Sequence, residues 1–104
     1  MNDGLGKNWK ERLLGILTAH PAVQGVVLFG SRAMGTWKPA SDIDLALEGA
    51  TLDLNDLLQL KASVGELNLP VDVDLLLLDT LKNPDLLRHI DTCGVVWWRR
   101  FCMT

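Results

Sequence analysis

The stretch VVLFGSRAMGTWKPASDIDLAL, residues 26–47, decides how this chain folds. Its first apolar run ends at a Gly-Ser pair (residues 30–31), and its second apolar run begins at the sequence DID (residues 42–44). Short apolar runs that are bounded by glycine and turn residues predict buried β-strands. Ten residues lie between the Gly-Ser pair and DID, and they include a glycine and a proline that allow only a brief helix. The stretch therefore predicts two buried strands joined by a short helix and a loop.

The same kinds of pattern predict the rest of the fold. Apolar residues recur at helical spacing on both sides of the stretch, and two further apolar runs predict strands. The predicted helices cover residues 8–19, 53–66 and 83–93, with Asn83 as N-cap and Gly94 as the stop signal, and the later strands cover residues 71–78 and 95–100. This order of elements predicts a mixed α/β or α+β fold, in which helices pack on a sheet of about four strands. The last strand is expected at an edge of the sheet.

Length and composition limit the possible functions. The chain has 104 residues and a net charge of −3, so we expect a single domain over residues 1–104, with residues 1–7 flexible. The acidic balance argues against extended nucleic-acid binding. Because neither a signal peptide nor a membrane span is apparent, we expect a cytoplasmic protein. Cys93 and Cys102 lack metal-site spacing and are expected to be reduced thiols.

Two acidic side chains at the head of the second strand suggest a metal site. Asp42 and Asp44 are two positions apart, so their side chains leave the same face of the sheet. Carboxylates this close repel one another unless a cation or a proton lies between them. Oxygen ligands favour Mg²⁺ or Mn²⁺, which also accept water and phosphate oxygens. The alternative is that Ser41 and Asp42 only cap a turn.

Two further features favour a site for phosphoryl transfer. Gly30 and Ser31 follow a buried strand at a helix start, where backbone N–H groups and a hydroxyl can hold a phosphate. Asp72 and Asp74 share one face of the third predicted strand. If that strand neighbours the one of Asp44, about 4.8 Å away, three or four carboxylates converge, as a two-metal site requires. The alternative is an exposed acidic sheet face.

The combined pattern resembles the DNA polymerase β-type nucleotidyltransferase superfamily. The Gly-Ser pair, ten residues, DID and a later strand aspartate occur here in LFGSRAMG, SDIDLAL and VDVDLLLLDTL. In length and motifs the chain is similar to the minimal nucleotidyltransferases (MNT), the antitoxin partners of HEPN-domain proteins. The similarity runs over nearly the whole chain, from the leading helix to NPDLLRHIDTCGVVWW.

The resemblance implies which residues bind the nucleotide. Gly30 and Ser31 would bind the phosphates of ATP or another nucleoside triphosphate. Arg32 and Lys38 would neutralise phosphate charge. Trp37, in the loop between the Gly-Ser pair and DID, would either stack on the base or anchor the loop.

The resemblance also implies the metal ligands. Asp42 and Asp44 would hold both of two ions, Mg²⁺ or Mn²⁺. The third carboxylate, as metal ligand and base, would come from VDVD. Asp74 is favoured over Asp72 there, because its spacing to residues 79–81 fits the family better.

The reaction implied by the resemblance is transfer of a nucleoside monophosphate, AMP from ATP, to a hydroxyl with release of pyrophosphate. The short chain leaves little room for a domain that binds the acceptor, so we expect the acceptor to arrive with a partner. The resemblance implies that this partner is a HEPN-type toxin, with a side-chain hydroxyl as the acceptor. One alternative is an antitoxin module that neutralises its partner by complex formation, with a site that binds nucleotide or is vestigial. Another is a structural α/β domain with an acidic surface.

The remaining candidate residues are expected to have minor roles. His20 and His89 are predicted to be surface or capping residues rather than catalysts. Trp97 and Trp98 are expected to alternate faces on the last strand, so that one of them is exposed. An exposed tryptophan on an edge strand suggests a protein contact, and a homo- or hetero-oligomer through this edge.

Overall fold

Helices and strands alternate along the chain in the computed structural model, which describes residues 7–100. The sequence-predicted order of elements is confirmed, with a turn of 3-10 helix added after the third strand. The helices are α1 (Lys7–Ala19), α2 (Ser31–Met34), α3 (Leu54–Gly65) and α4 (Pro84–Cys93), and the 3-10 turn is Leu78–Thr80. The strands are β1 (Gly25–Phe29), β2 (Ile43–Glu48), β3 (Val73–Leu77) and β4 (Val95–Arg99).

Local capping signals set where the longer helices begin. The Asn83 side chain accepts hydrogen bonds from the N–H groups of Asp85 (3.0 Å) and Leu86 (3.3 Å), ahead of a proline at the first turn of α4. At the start of α3, Asp53 accepts from the Asp56 N–H at 2.9 Å, and Asp56 accepts from the Asp53 N–H at 3.1 Å. This reciprocal capping box satisfies two N–H groups that the helix itself leaves unpaired.

The sheet is mixed and its strand order is β3-β2-β1-β4. Strand β1 pairs antiparallel with β2 and with β4, while β2 and β3 are parallel and are connected through α3. The fold class and the four-stranded sheet predicted from the sequence are confirmed. This topology brings the end of β1 and the starts of β2 and β3 to the same edge of the sheet.

Apolar side chains fill both faces of the sheet. The larger buried cluster includes Leu13 and Leu17 of α1, Leu60 of α3, and Leu45 of β2. A second buried cluster on the opposite face comprises Val27, Phe29, Ala46 and Ile90 of α4. Because side chains alternate along a strand, Asp44 shares the face of Ala46, which is the face that α4 covers.

Strand β3 is shorter than the predicted range of residues 71–78. It begins at Val73, and the chain turns into the 3-10 helix at Leu78. The carboxylate of Asp79 accepts a hydrogen bond from the Gly49 N–H at 2.7 Å. This contact holds the 3-10 turn against the end of β2, so the extended run ends there.

Strand β4 lies at the sheet edge, as predicted, but the expectation of an exposed tryptophan is wrong. The pairing of β4 with β1 shifts its register between Val26 and Val27, which marks a β-bulge. The bulge interrupts the alternation of faces, and Trp97 and Trp98 are both half-buried against the larger cluster. The ammonium of Lys10 lies 5.1 Å from the centroid of the Trp97 ring. These two tryptophans therefore give no support for an oligomer through this edge of the sheet.

Some predictions concern residues outside the described range. Flexibility was expected for residues 1–7, of which only Lys7 is described, as the first residue of α1. Cys102 also lies outside that range. Cys93 is a half-buried free thiol at the end of α4. No helix within residues 7–100 has the length and apolar character that a membrane crossing needs.

Candidate active site

Two aspartates face one another across the parallel strands β2 and β3. Asp44 and Asp74 are direct partners in the register, and neighbouring strands lie about 4.8 Å apart. Asp42 precedes β2 and lies two positions before Asp44, while Asp72 is exposed and precedes β3. The prediction that the two acid-bearing strands are neighbours is therefore confirmed. The register supports Asp74 rather than Asp72 as the acid nearest to Asp44.

The surroundings of the Asp44 carboxyl disfavour its negatively charged form. Burial raises its pKa above the ordinary value, and the charges of Asp74 and Asp42 raise this pKa further. His89 acts in the opposite direction and lowers the pKa of Asp44. At Asp44 the raising effects outweigh the effect of His89, and a bound divalent cation would lower this pKa.

The Gly-Ser turn approaches Asp44 closely. Gly30 has φ 76° and ψ −158°, a backbone conformation that favours glycine. A Cβ atom at this position would also collide with a carboxylate oxygen of Asp44. The Gly30 carbonyl accepts hydrogen bonds from the N–H groups of Ala33 (3.1 Å) and Met34 (3.2 Å), so that Ser31 becomes the first residue of α2. Both the conformation and the space therefore require glycine here.

The N–H of Gly30 has a partner within the protein. It donates a hydrogen bond to Nε2 of His89 at 3.0 Å. The Gly30 N–H is therefore engaged within the protein, and Gly30 brings the turn next to Asp44. Phosphate binding by the pair remains a prediction.

The two basic residues predicted to neutralise phosphate differ in their surroundings. Arg32 is buried, with 2% of its surface exposed. Its Nε and Nη2 donate to the Ser41 carbonyl at 3.1 and 2.9 Å, and its guanidinium lies 5.5 Å from the Trp37 ring centroid. These contacts tie α2 to the residue before Asp42, and Trp37 packs on Arg32 within the loop, while its stacking on a base remains a prediction. Lys38 is exposed in the same loop, and its role toward phosphate remains a prediction.

His89 lies beside this site, where the sequence predicted a surface or capping residue. It is half-buried, and its ring meets the Phe29 ring edge-on at 6.3 Å between centroids. The sequence contained a signal for this position. Leu86 and Ile90 lie on the apolar face of α4, and His89 lies three positions after Leu86 and next to Ile90. That helical spacing points the imidazole toward the sheet.

The donor chemistry fits a divalent metal ion. Carboxylate oxygens, as in Asp42, Asp44 and Asp74, are ligands that Mg²⁺ and Mn²⁺ prefer. Burial and then the charges of Asp74 and Asp42 raise the pKa of Asp44, and a bound cation would lower it. With the side chains as they stand, no three acidic, histidine or cysteine groups in the described part of the chain converge closely enough to bind one ion. Coordination would therefore require side-chain rotation. The assignment of these three ligands remains a prediction.

Comparisons with known proteins give the family. The sequence matches the family model described as Polymerase beta, Nucleotidyltransferase over residues 11–100. No curated protein matches the sequence significantly.

Solved toxin–antitoxin structures share the fold. A chain from a toxin–antitoxin structure with AMP-PNP is 32% identical with a TM-score of 0.70, and the match covers 92% of this chain and 75% of that chain. A chain from a structure of MntA–HepT is 26% identical with a TM-score of 0.69, and covers 91% and 74%. A chain from the complex of tri-AMPylated Shewanella oneidensis HEPN toxin with MNT antitoxin is 26% identical with a TM-score of 0.69, and covers 90% and 72%.

These similarities agree with the geometry of the site. The family match spans every element that contributes to the acidic edge, from β1 to α4. The three structures described above are toxin–antitoxin structures, one of MntA with HepT and one of a HEPN toxin with an MNT antitoxin. Nucleoside triphosphates and divalent metal ions are typical substrates and cofactors of the family. The chain belongs to the polymerase β nucleotidyltransferase family.

Proposed function

We propose that this protein transfers AMP from ATP to a hydroxyl group of a HEPN-type toxin and thereby acts as the antitoxin. The observation that carries the proposal is the register of Asp44 opposite Asp74, with the Gly30–Ser31 turn against Asp44. The neighbours support the choice of reaction, since one is a complex with a tri-AMPylated HEPN toxin and another contains AMP-PNP.

Each part of the site has a role in this reaction. The oxygen of the acceptor hydroxyl forms a bond to the α-phosphorus of ATP, the bond from that phosphorus to the bridging oxygen breaks, and pyrophosphate leaves. Asp74 accepts the proton of the attacking hydroxyl. Ser31 and Lys38 bind the phosphates. Asp42, Asp44 and Asp74 would hold divalent ions, Mg²⁺ or Mn²⁺, which supply charge neutralisation and lower the pKa of the hydroxyl.

The acceptor enters from the exposed side of this edge. Asp42 and Lys38 are both exposed, so the site is open where the loop reaches β2. A hydroxyl on a side chain of the partner protein can approach there without a dedicated acceptor domain. This proposal places the reaction in the cytoplasm, where ATP is available.

Transfer of label from ATP tests the proposal. The protein is incubated with Mg²⁺ and ATP labelled on the α-phosphate, with and without the HEPN protein. We expect labelled partner from the wild type, and a loss of about 100-fold or more in Asp44→Asn and Asp74→Asn, because each removes a carboxylate that holds the ions. Asp72→Asn makes the same chemical change two positions away and is expected to stay within about threefold of wild type.

Two results would contradict the proposal. If the wild type transfers no label while it and both variants still neutralise the toxin, the protein acts by complex formation alone. If Asp72→Asn loses transfer and Asp74→Asn retains it, the assignment of the third carboxylate is wrong.

A further inference from the structure

Helix α4 lies close enough to the sheet to bring an imidazole to the end of β1. At the helix end, a Cβ atom on Gly94 would lie 2.9 Å from Cγ1 of Val27, so glycine permits this close approach. Ile90 packs in the buried cluster under α4. One position earlier, His89 meets the ring of Phe29 edge-on, with an angle of 77° between the planes. The imidazole is thus fixed by packing on the last residue of β1.

His89 holds the peptide group that turns the chain from β1 into α2. Its Nε2 accepts the Gly30 N–H at 3.0 Å, although the two residues are 59 positions apart in the sequence. On the other side of the same residue, the Gly30 carbonyl accepts from Ala33 and Met34 of α2. Both backbone groups of Gly30 are therefore satisfied, one by α4 and one by α2. Without His89, a half-buried N–H would lose its partner.

The same hydrogen bond shows what His89 does not do. Because Nε2 accepts the Gly30 N–H, the lone pair of this nitrogen is engaged. An engaged Nε2 can neither bind a metal ion nor take a proton from the acceptor hydroxyl. The geometry is that of a side chain that orients a backbone turn.

We infer that His89 is a positioning residue for nucleotide binding: through Gly30, it fixes the turn that presents Ser31 to the triphosphate beside Asp44. This inference rests on the proposed function, since it assumes that a nucleoside triphosphate binds at the turn. It adds α4 to the elements that determine the affinity for nucleotide.

A pair of amide substitutions separates this role from simple packing. In His89→Gln the side-chain oxygen can reach the place of Nε2 and accept the Gly30 N–H, whereas in His89→Asn the shorter side chain cannot. We expect His89→Asn to raise KM for MgATP, and Kd for Mg²⁺–AMP-PNP, by about tenfold, with a smaller change in kcat. We expect His89→Gln to stay within about threefold of wild type. Hydrogen exchange of the Gly30 amide should be fast in His89→Asn and slow in the other two proteins.

His20 provides a matched control at the opposite end of β1. Its Nδ1 also accepts a backbone N–H, from Ala22 at 3.1 Å, and its Nε2 lies 3.2 Å from Asp56. His20→Leu is expected to lower the melting temperature without changing KM or Kd. A merely structural role for His89 would give it the same signature.

The outcomes distinguish the inference from the proposed function. If the wild type transfers AMP but both His89 variants keep its KM and Kd, or lose affinity equally, the inference is wrong and the proposed function stands. If the wild type binds AMP-PNP but transfers nothing, the proposed reaction fails, and the Kd values of the two variants still decide the role of His89. Failure of the wild type to bind any nucleotide overturns both.

Discussion

Asp44 shows how a residue proposed to bind metal can lower the stability of the metal-free protein. Its carboxylate lies beside Asp74 and Asp42 and is partly removed from water, and each of these effects disfavours the charged form. Glycine is required at position 30 so that the neighbouring turn clears the same carboxylate. A structural role would be served better by a neutral side chain at this position. This cost favours our proposal that the carboxylate serves to bind a cation.

The raised pKa of Asp44 predicts a pH-dependent effect of Asp44→Asn on stability. The folded protein binds the proton of Asp44 more tightly than the unfolded chain does, so stability falls as the pH rises from below the ordinary value of 3.8 through the raised value. In metal-free protein at about pH 7, Asp44→Asn should therefore raise the melting temperature. Because the group is partly exposed, the gain should be no more than about 1 kcal/mol, or roughly 4–8 °C.

Thermal unfolding in the presence of a chelator measures this effect. The difference between Asp44→Asn and wild type should disappear well below pH 3.8, where the Asp44 side chain is protonated in both the folded and the unfolded chain. Asp72→Asn, at an exposed position, serves as the control and should change little at either pH. A lower melting temperature for Asp44→Asn at neutral pH would show that the ionised carboxylate stabilises the metal-free fold.

Helix α3 is the element that brings the two halves of the acidic site together. It connects β2 to the parallel strand β3, and its residues Leu57, Leu60 and Val64 are buried in the larger cluster. Parallel neighbours require such a crossover, so the opposition of Asp44 and Asp74 depends on how α3 packs. The start of α3 is in turn fixed by its capping box.

Loss of the N-cap of α3 should lower the free energy of unfolding without altering the side chains of the acidic site. Asp53→Ala removes the carboxylate that accepts the Asp56 N–H, and N-cap substitutions of this kind cost about 1 kcal/mol. For a domain of this size, the melting temperature should fall by roughly 4–8 °C. The free energy of unfolding in urea gives the same quantity independently. The exposed Asn55, in the first turn of the same helix, offers Asn55→Ala as the control, and an equal loss there would contradict the capping role.

At the scale of the whole molecule, the sequence predicted the helices and strands better than the contacts between distant residues. Capping residues, glycines and apolar runs placed the elements, because these signals act within a few residues of one another. The pairing of Asp44 with Asp74 could be predicted only on the assumption that their strands are neighbours, because strand order depends on contacts that the sequence does not encode locally. The contact of His89 with Gly30 and the shared face of Trp97 and Trp98 were missed for the same reason: one depends on where α4 docks, the other on a bulge.

The spread of the site across the fold predicts that ligand binding stabilises the whole molecule. The acidic edge draws on β1, β2, β3 and α4, so an occupied site opposes unfolding of all of them together. At a free concentration of AMP-PNP about 100 times its Kd, with Mg²⁺ present, stability should rise by about 2.7 kcal/mol. For a domain of this size, the melting temperature should then rise by roughly 10–20 °C.

Circular dichroism and tryptophan fluorescence should report the same shifted transition, because Trp37 lies near the site while Trp97 and Trp98 lie on β4. AMP-PNP with a chelator, and Asp44→Asn with Mg²⁺, should each give little shift. A shift seen by only one of the two probes would mean that the ligand orders a local segment, and an equal shift in Asp44→Asn would place the binding site elsewhere.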